Sequence, residues 1–336
     1  MPGTEPGFGA VDWQPGASSE TLALRAELLA RIRSWMRGQG VLEVETPALS
    51  RFAATEPSIE PFHTGFHGPG SANGQRLYLH TSPEYFMKRL LAAGSGPVYQ
   101  LSHVFRDGEL GHRHNPEFTM LEWYRPGADH VALMDEVDAM LVSVLAGVAE
   151  YRPAERICYR QWLMEYTGLD PWSDGVSAFR DFAERNLGPV SEGIQHGGLD
   201  TWLDLLVSHW LEPRLPQGAV FIYNYPPTQA ALARLRTDDG RWVAERFELY
   251  LNGMELANGF HELIDAQEQH QRLEQDNRRR IAAGRKSLPI DRLFVKALVA
   301  GMPACAGVAL GLDRLIMYAG ALDDIDSAMA FSFSRA

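Results

Sequence analysis

Phe105-Arg106-Asp107-Gly108-Glu109-Leu110-Gly111-His112-Arg113-His114-Asn115-Pro116-Glu117-Phe118-Thr119-Met120-Leu121-Glu122-Trp123-Tyr124 is the stretch from which the fold is read. It starts at the end of an apolar, β-prone run, Val98 to Phe105, and finishes in an alternating, aromatic-rich run, Phe118 to Tyr124. The expectation is strand, long polar loop, strand. The loop carries Arg106, Arg113, two histidines, two glutamates and Asn115, more polar chemistry than a plain hairpin turn requires. A loop of this length and composition is usually functional. On the second strand Phe118, Met120, Glu122 and Tyr124 share one face, because side chains alternate. A ring, an acid and a phenol beside an arginine-bearing loop suit a nucleotide and a cationic ligand.

Working outward, Leu24, Leu28, Ile32, Trp35 and Met36 follow helical spacing, and Gly38 and Gly40 end that helix. Residues 41–46 alternate as a strand stopped by Pro47. Residues 53–76 read as loop, and Leu77 to His80 as a short strand. Thr81-Ser82-Pro83-Glu84 then opens a helix to Leu91. Thr81 and Glu84 fit a capping box and Pro83 a first helical turn. Glu84 fits equally well as a ligand for an amine, and a helix N-terminus at a pocket can receive an anion. Residues 131–149 form an amphipathic helix. A mainly helical insertion spans about 150–218, with Trp202, Leu203, Leu206, Val207, Trp210 and Leu211 on one stripe; it is given a packing role.

Val220 to Tyr225 is a strand. Asn252-Gly253, between alternating runs, is a hairpin signal. With those two as the turn, Tyr250 faces Glu255 and Glu248 faces Ala257. Glu248 and Glu255 then lie on one face, diagonally offset by roughly 6–8 Å at Cβ. Two like charges so close call for a shared cation, and hard Mg²⁺ held together with substrate phosphates fits; a solvated sheet face is the plain alternative. Glu262 follows seven residues after Glu255. Residues 264–283 form a charged helix. Gly307-Val308-Ala309-Leu310-Gly311-Leu312-Asp313-Arg314 runs as a strand into a helix, and Gly311 permits close backbone approach to a ligand.

The chain has 336 residues, 45% of them apolar, and a net charge of −12, which argues against a broad nucleic-acid surface. Cys158 and Cys305 make neither a disulfide framework nor a metal cluster, so the cytosol is the expected compartment. No leader pattern or membrane-length apolar run is present. The phosphate-cradling glycine loops and the nucleophile elbow Gly-x-Ser-x-Gly are absent. His112 and His114 lack the partners of a zinc site.

Three of these stretches taken together resemble motifs 1, 2 and 3 of the class II aminoacyl-tRNA synthetases, in order. They are the helix and strand ending at Pro47, Phe105-Arg106 with Arg113 to Glu122, and Gly307 to Arg314. The likeness covers about residues 20–336, with 1–19 as a tail or arm. The lysyl-specific branch is nearest, through His114 to Glu122 and Glu255 to Glu262. Within it, Thr81 to Tyr85, Gly253 to Glu262 and Gly307 to Gly311 resemble the paralogues that transfer (R)-β-lysine to elongation factor P and lack an anticodon-binding domain.

The resemblance implies an α+β fold, mainly antiparallel sheet flanked by helices. It implies ATP and Mg²⁺, activation of (R)-β-lysine (α-lysine less well) as an adenylate, and transfer to a lysine of elongation factor P. It also implies a homodimer, with neither tRNA nor membrane as partner. Arg106 and Arg314 would be catalytic. ATP would meet Arg106, Asp107, Gly108, Glu109, His114, Asn115, Phe118, Glu255, Leu256, Gly311 and Arg314, and Glu248 and Glu255 would hold Mg²⁺. Ser82, Pro83, Glu84, Glu122, Tyr124, Glu262 and Ala309 would meet the amino acid, with Glu262 and Tyr124 on its ε-ammonium. The family commonly has glutamate where Gly108 stands and glycine where Ala309 stands; a larger residue there is consistent with a shifted substrate. Three alternatives are a truncated synthetase charging tRNA, an amide-forming ligase of the asparagine synthetase type, and a non-catalytic subunit. The presence of both phosphate arginines and the carboxylate pair counts against the last.

Overall fold

The Ser18 hydroxyl accepts a hydrogen bond from the Thr21 amide and so starts helix α1 (Ser19–Gly38), which buries Leu28, Ile32 and Met36. The computed structural model describes residues 13–70 and 74–336; most of the expected tail, residues 1–12, lies outside them. After α1 come β1 (Leu42–Glu43), β2 (Leu49–Ser50), β3 (His63–Phe66) and β4 (Gln75–Leu79). Strand β3 falls inside the stretch read as loop. All four of its residues are exposed, so no apolar alternation marks it. Strands β2, β4 and β3 form a small separate sheet.

Helix α2 (Glu84–Ala92) leads to β5 (Val98–Phe105) and β6 (Glu117–Pro126), the pair flanking the polar loop, in register Phe105↔Glu117 to Val98↔Tyr124. Helix α3 (His130–Leu145) follows. Strand β7 (Glu155–Cys158) precedes helices α4 (Tyr159–Thr167), α5 (Val176–Leu187), α6 (Glu192–Gln195) and α7 (Leu199–Leu206). The remaining elements are β8 (Ala219–Tyr225), β9 (Leu235–Asp238), β10 (Arg241–Leu251), β11 (Met254–His261), α8 (Ala266–Ala282), α9 (Arg292–Gly301), β12 (Cys305–Gly311) and α10 (Leu312–Ala319).

The large sheet runs β1-β5-β6-β12-β11-β10-β8-β7, with β9 on β10. Only the outer pairs, β1 with β5 and β7 with β8, are parallel. The last strand, β12, sits in the centre and bonds to β6 and β11. Odd-numbered Leu121 and Trp123 of β6, with Phe247 and Leu249 of β10, meet Leu28, Met36, Val137, Leu141 and Leu315 of α1, α3 and α10 in the main core. On the other face, Met87, Leu91, Tyr124, Phe294 and Leu298 form one cluster. Trp162, Trp202, Leu206, Ile222 and Tyr250 form another, which takes in residues of α4 and α7. The cavity described below opens on the sheet face that carries these two clusters.

Two local expectations are corrected. Asn252 and Gly253, at φ 49° and 69°, make the expected tight turn, and Tyr250 pairs with Glu255. A bulge then intervenes, so Leu249 pairs with Ala257 and Glu248 with Asn258 rather than Ala257. The capping box at Thr81 and Glu84 does not form: Pro83 is the N-cap of α2, with no side-chain cap bond. The Glu84 amide donates to Ser82 Oγ at 3.0 Å instead. The Glu84 carboxylate is engaged elsewhere.

Candidate active site

A cavity of about 390 Å³ lies over β6, β12, β11 and β10. Even-numbered Phe118, Met120, Glu122 and Tyr124 of β6 line it, as their alternation requires. So do Glu248, Glu255, Glu262, Ala309, Gly311 and Arg314 from the three other strands and the start of α10.

One end is rich in guanidinium groups. Arg106 stacks over the Phe118 ring at 5.0 Å and pairs with Glu109 at 3.5 Å. Its Nε is buried and makes no hydrogen bond. Arg314 is held by backbone, donating to the Glu255 carbonyl at 2.7 Å and the Arg113 carbonyl at 3.2 Å. Its Nη2 lies 2.8 Å from His114 Nε2. Burial and the Arg314 charge lower the His114 pKa, so the ring is neutral and accepts. Asn115 lines the cavity but spends its amide on the Glu117 carbonyl (2.6 Å) and the Phe333 amide (2.9 Å), which makes it a brace. Asp107 and Gly108 do not reach the wall. Gly108 at φ 85° turns the loop so that Asp107 is exposed and Glu109 comes in.

Glu248 is fully engaged: Arg246 Nη2 at 2.5 Å, Tyr225 hydroxyl at 2.7 Å and Tyr250 hydroxyl at 2.6 Å. Glu255 has Arg314, 3.6 Å away, as its one ion-pair partner among the described residues. Enclosure in the pocket and the Glu248 charge push the Glu255 pKa up, although its side chain remains 40% accessible through the cavity. An under-neutralised carboxylate beside a second one fits a hard divalent cation shared with phosphate oxygens.

The other end is closed. Glu122, Tyr124 and Glu262 are 2%, 2% and 1% exposed. Glu122 accepts from the Tyr124 hydroxyl at 2.6 Å and from Ser82 Oγ at 2.7 Å. Between Glu84 and Glu262 lies Lys88, wholly buried, with Nζ 2.5 Å from an oxygen of each. Burial opposes the lysine's charge, but Glu262 and Glu84 outweigh it and raise its pKa. Burial, then the Glu84 charge, raise Glu122 to about 7. Burial raises Glu262 to about 8, with Glu84 and Glu122 adding to the effect while Lys88 opposes it. One ammonium does not neutralise three carboxyls, of which Glu122 and Glu262 are buried and Glu84 half-buried. Pro83 starts α2 and does not line the cavity.

Comparison with known proteins decides the family. The family described as "tRNA synthetases class II (D, K and N)" matches residues 7–335. The chain belongs to the class II tRNA synthetase family. Two curated relatives carry the name elongation factor P–(R)-β-lysine ligase. One, from Salmonella paratyphi B, is 49% identical over 326 residues, 96% of this chain and 98% of its own length. Another, from Erwinia tasmaniensis, is 50% identical over 326 residues, 97% of this chain and 98% of its own.

Sequence reasoning missed four residues of this class II site. Lys88 was hidden by its place on a buried helix face beside Met87 and Leu91; its signal was the spacing Glu84-x-x-x-Lys88. Arg246 sits two residues before Glu248, on the same strand face. Asn258 enters the wall through the bulge. A Cβ at Gly307 would lie 2.3 Å from the Tyr124 ring and 2.6 Å from Glu262 Oε1, so only glycine fits there. A separate cluster of His130, Glu245 and His261 has ligand atoms within 4.8 Å of one another. Arg234 at 2.6 Å and Arg236 at 3.3 Å already neutralise Glu245, which leaves little attraction for a cation. Among the described residues, no helix is long and apolar enough to cross a membrane.

Proposed function

We propose that this class II enzyme activates a lysine-type diamino acid, (R)-β-lysine above α-lysine, with ATP and transfers it to a lysine side chain of elongation factor P. The carrying observation is one cavity with guanidinium groups at one end and three carboxyls, two of them buried, at the other. Triphosphate and a diammonium substrate are the charges that such ends complement. The relatives' name and their near full-length match support the acceptor, and Ala309 beside Glu122 and Asn258 in the sheet supports the β-isomer.

Glu262 Oε1 and the Tyr124 hydroxyl receive one ammonium of the substrate, and Glu84 and Ser82 the other. Its carboxylate then lies toward Arg106, with the α-phosphate of ATP on that same guanidinium and adenine on the Phe118 ring. The carboxylate oxygen attacks the α-phosphorus in line, the bond to the β-phosphate bridging oxygen breaks, and pyrophosphate leaves. Arg106 and Arg314 stabilise the charge that builds on phosphate oxygens. Glu255, with Glu248 beside it, would hold Mg²⁺, which would supply further screening of that charge. The acceptor amine next attacks the acyl carbon, and AMP leaves. No protein nucleophile takes part. The dimer implied by the first motif belongs to this reading and is checked by sedimentation.

The test is ATP–pyrophosphate exchange with each lysine isomer, followed by mass analysis of elongation factor P incubated with enzyme, ATP and isomer. Exchange with (R)-β-lysine above α-lysine, and one added residue on the factor, are expected. Absence of exchange with both isomers overturns the proposal. Charging of tRNA in place of the factor selects the truncated-synthetase alternative.

A further inference from the structure

Lys88 is the one buried lysine among the described residues, and it stands behind Glu84 and Glu262, which line the end of the cavity assigned to the substrate's ammonium groups. It is a buried residue of α2, as are Met87 and Leu91, and its Nζ lies 5.7 Å from the Phe294 ring centre. Its head meets Glu84 Oε1 and Glu262 Oε2, each at 2.5 Å. Glu262 Oε1 is left over, beside Gly307 and the Tyr124 ring, and Gly307 lines the cavity. Glu84 Oε2 makes no ion pair or hydrogen bond among the described residues. The protein has thus built an ammonium of its own between two carboxylates that a substrate ammonium must also use.

The charges can be counted. Glu84, Glu122 and Glu262 bring three carboxyls, and Lys88 cancels one. Once all three carboxyls are ionised, as bound ammonium groups would favour, the remainder matches a molecule with two ammonium groups, not one and not three. Removing one member of such a buried set leaves an uncompensated charge, the most costly outcome in a closed site.

We infer that Lys88 is a positioning residue: its ammonium fixes one oxygen of Glu84 and one of Glu262, turns the others to the substrate, and sets the pocket to accept two ammonium groups. The inference rests on the diamino-acid reading of this cavity. If the wild-type enzyme shows no lysine-dependent exchange, that reading has failed; the inference is tested where the wild type is active.

The measurement is lysine-dependent ATP–pyrophosphate exchange by Lys88→Met, Lys88→Ala and Lys88→Arg, each checked for folding by thermal unfolding. In Lys88→Met the KM for lysine rises about 100-fold, while the KM for ATP stays within about threefold because the arginines lie at the other end. In Lys88→Ala, methylammonium restores the lysine KM at least about tenfold by standing where Nζ stood; Lys88→Met, whose side chain fills that place, is not rescued. Lys88→Arg keeps the charge, misplaces the two carboxylates, and raises the lysine KM while still rejecting norleucine. An unchanged lysine KM in folded Lys88→Met overturns the inference. So do parallel rises in both KM values, which mark a merely structural lysine, and failure of methylammonium rescue. If the Met and Ala variants do not fold, the Arg variant decides, and wild-type lysine KM in it overturns the inference.

Discussion

The two ends of the cavity solve opposite problems. At the end proposed for the nucleotide the charges are cationic, partly open to water and held by backbone carbonyls: Arg314 leans on Glu255 and Arg113. At the end proposed for the amino acid they are carboxyls, closed off, and held by other side chains: Glu122 by Tyr124 and Ser82, Glu262 by Lys88. A hydrated, metal-bound triphosphate needs strong charges and room. A small diamino acid has little to recognise beyond its ammonium groups, so the protein removes water and makes each unpaired charge costly. Affinity for phosphate would come from half-buried arginines, and selectivity for an amine from full burial.

Substitutions at each end test that division. Arg106→Ala is expected to lower the exchange rate the most, by about 10²–10³-fold, with an unchanged thermal midpoint; loss of stability in place of activity would make Arg106 structural. Next comes Glu262→Ala. It strands Lys88 with Glu84 alone and removes the partner of the substrate ammonium, a loss of about 2–5 kcal/mol. Amino-acid selection collapses and the fold remains; adenylate formation at near-normal efficiency in this variant would refute the role. Gly307→Ala forces a methyl group into the Tyr124 ring and the Glu262 carboxyl, at a cost of about 1–3 kcal/mol. It should raise the lysine KM and leave the ATP KM alone.

The pH response differs between the ends as well. Glu122 near 7 and Glu262 near 8 stand above the ordinary 4.5 in the folded protein. The native state therefore holds protons that the unfolded chain has lost. The stability from this cluster is present in full below the unfolded value and is lost as pH rises through 7 and 8. The ligand-free thermal midpoint should fall between pH 6 and 8.5, and lysine should restore more of it at pH 8.5 than at pH 6. A midpoint indifferent to pH would mean that the carboxyls are already neutralised. The smallest effect concerns the loop. Asp107→Ala, at an exposed position, should change exchange by less than about twofold, whereas Glu109→Ala, beside Arg106, should cost about tenfold.

Much of this was legible before any coordinates. The strand–loop–strand of residues 98–126 and the hairpin at Asn252-Gly253 are local patterns, set by alternation and turn chemistry, and both stand. What escaped depends on distant chain. The bulge that pairs Glu248 with Asn258 leaves no mark in a pattern of period two. Lys88 gains its meaning only when α2 is packed against α9 and the chain after β11 brings Glu262 beside it. Glu84 offered a cap and a ligand with equal force, and only the start of α2 at Pro83 separated them. Strand β3 packs no side chain inward, so hydropathy could not reveal it.

The place of β12 has a consequence for synthesis. The strand made last among the sheet's members joins β6 to β11, and without it the sheet is two separate pieces. While the ribosome has yet to release residues 305–311, both of those neighbours present a bare edge of amide and carbonyl groups to the surrounding solution. Asp313, just beyond, is what Arg25 and the Thr119 amide have been waiting for since early in translation. The large sheet cannot close before residues 305–311 are made, however early its other strands form.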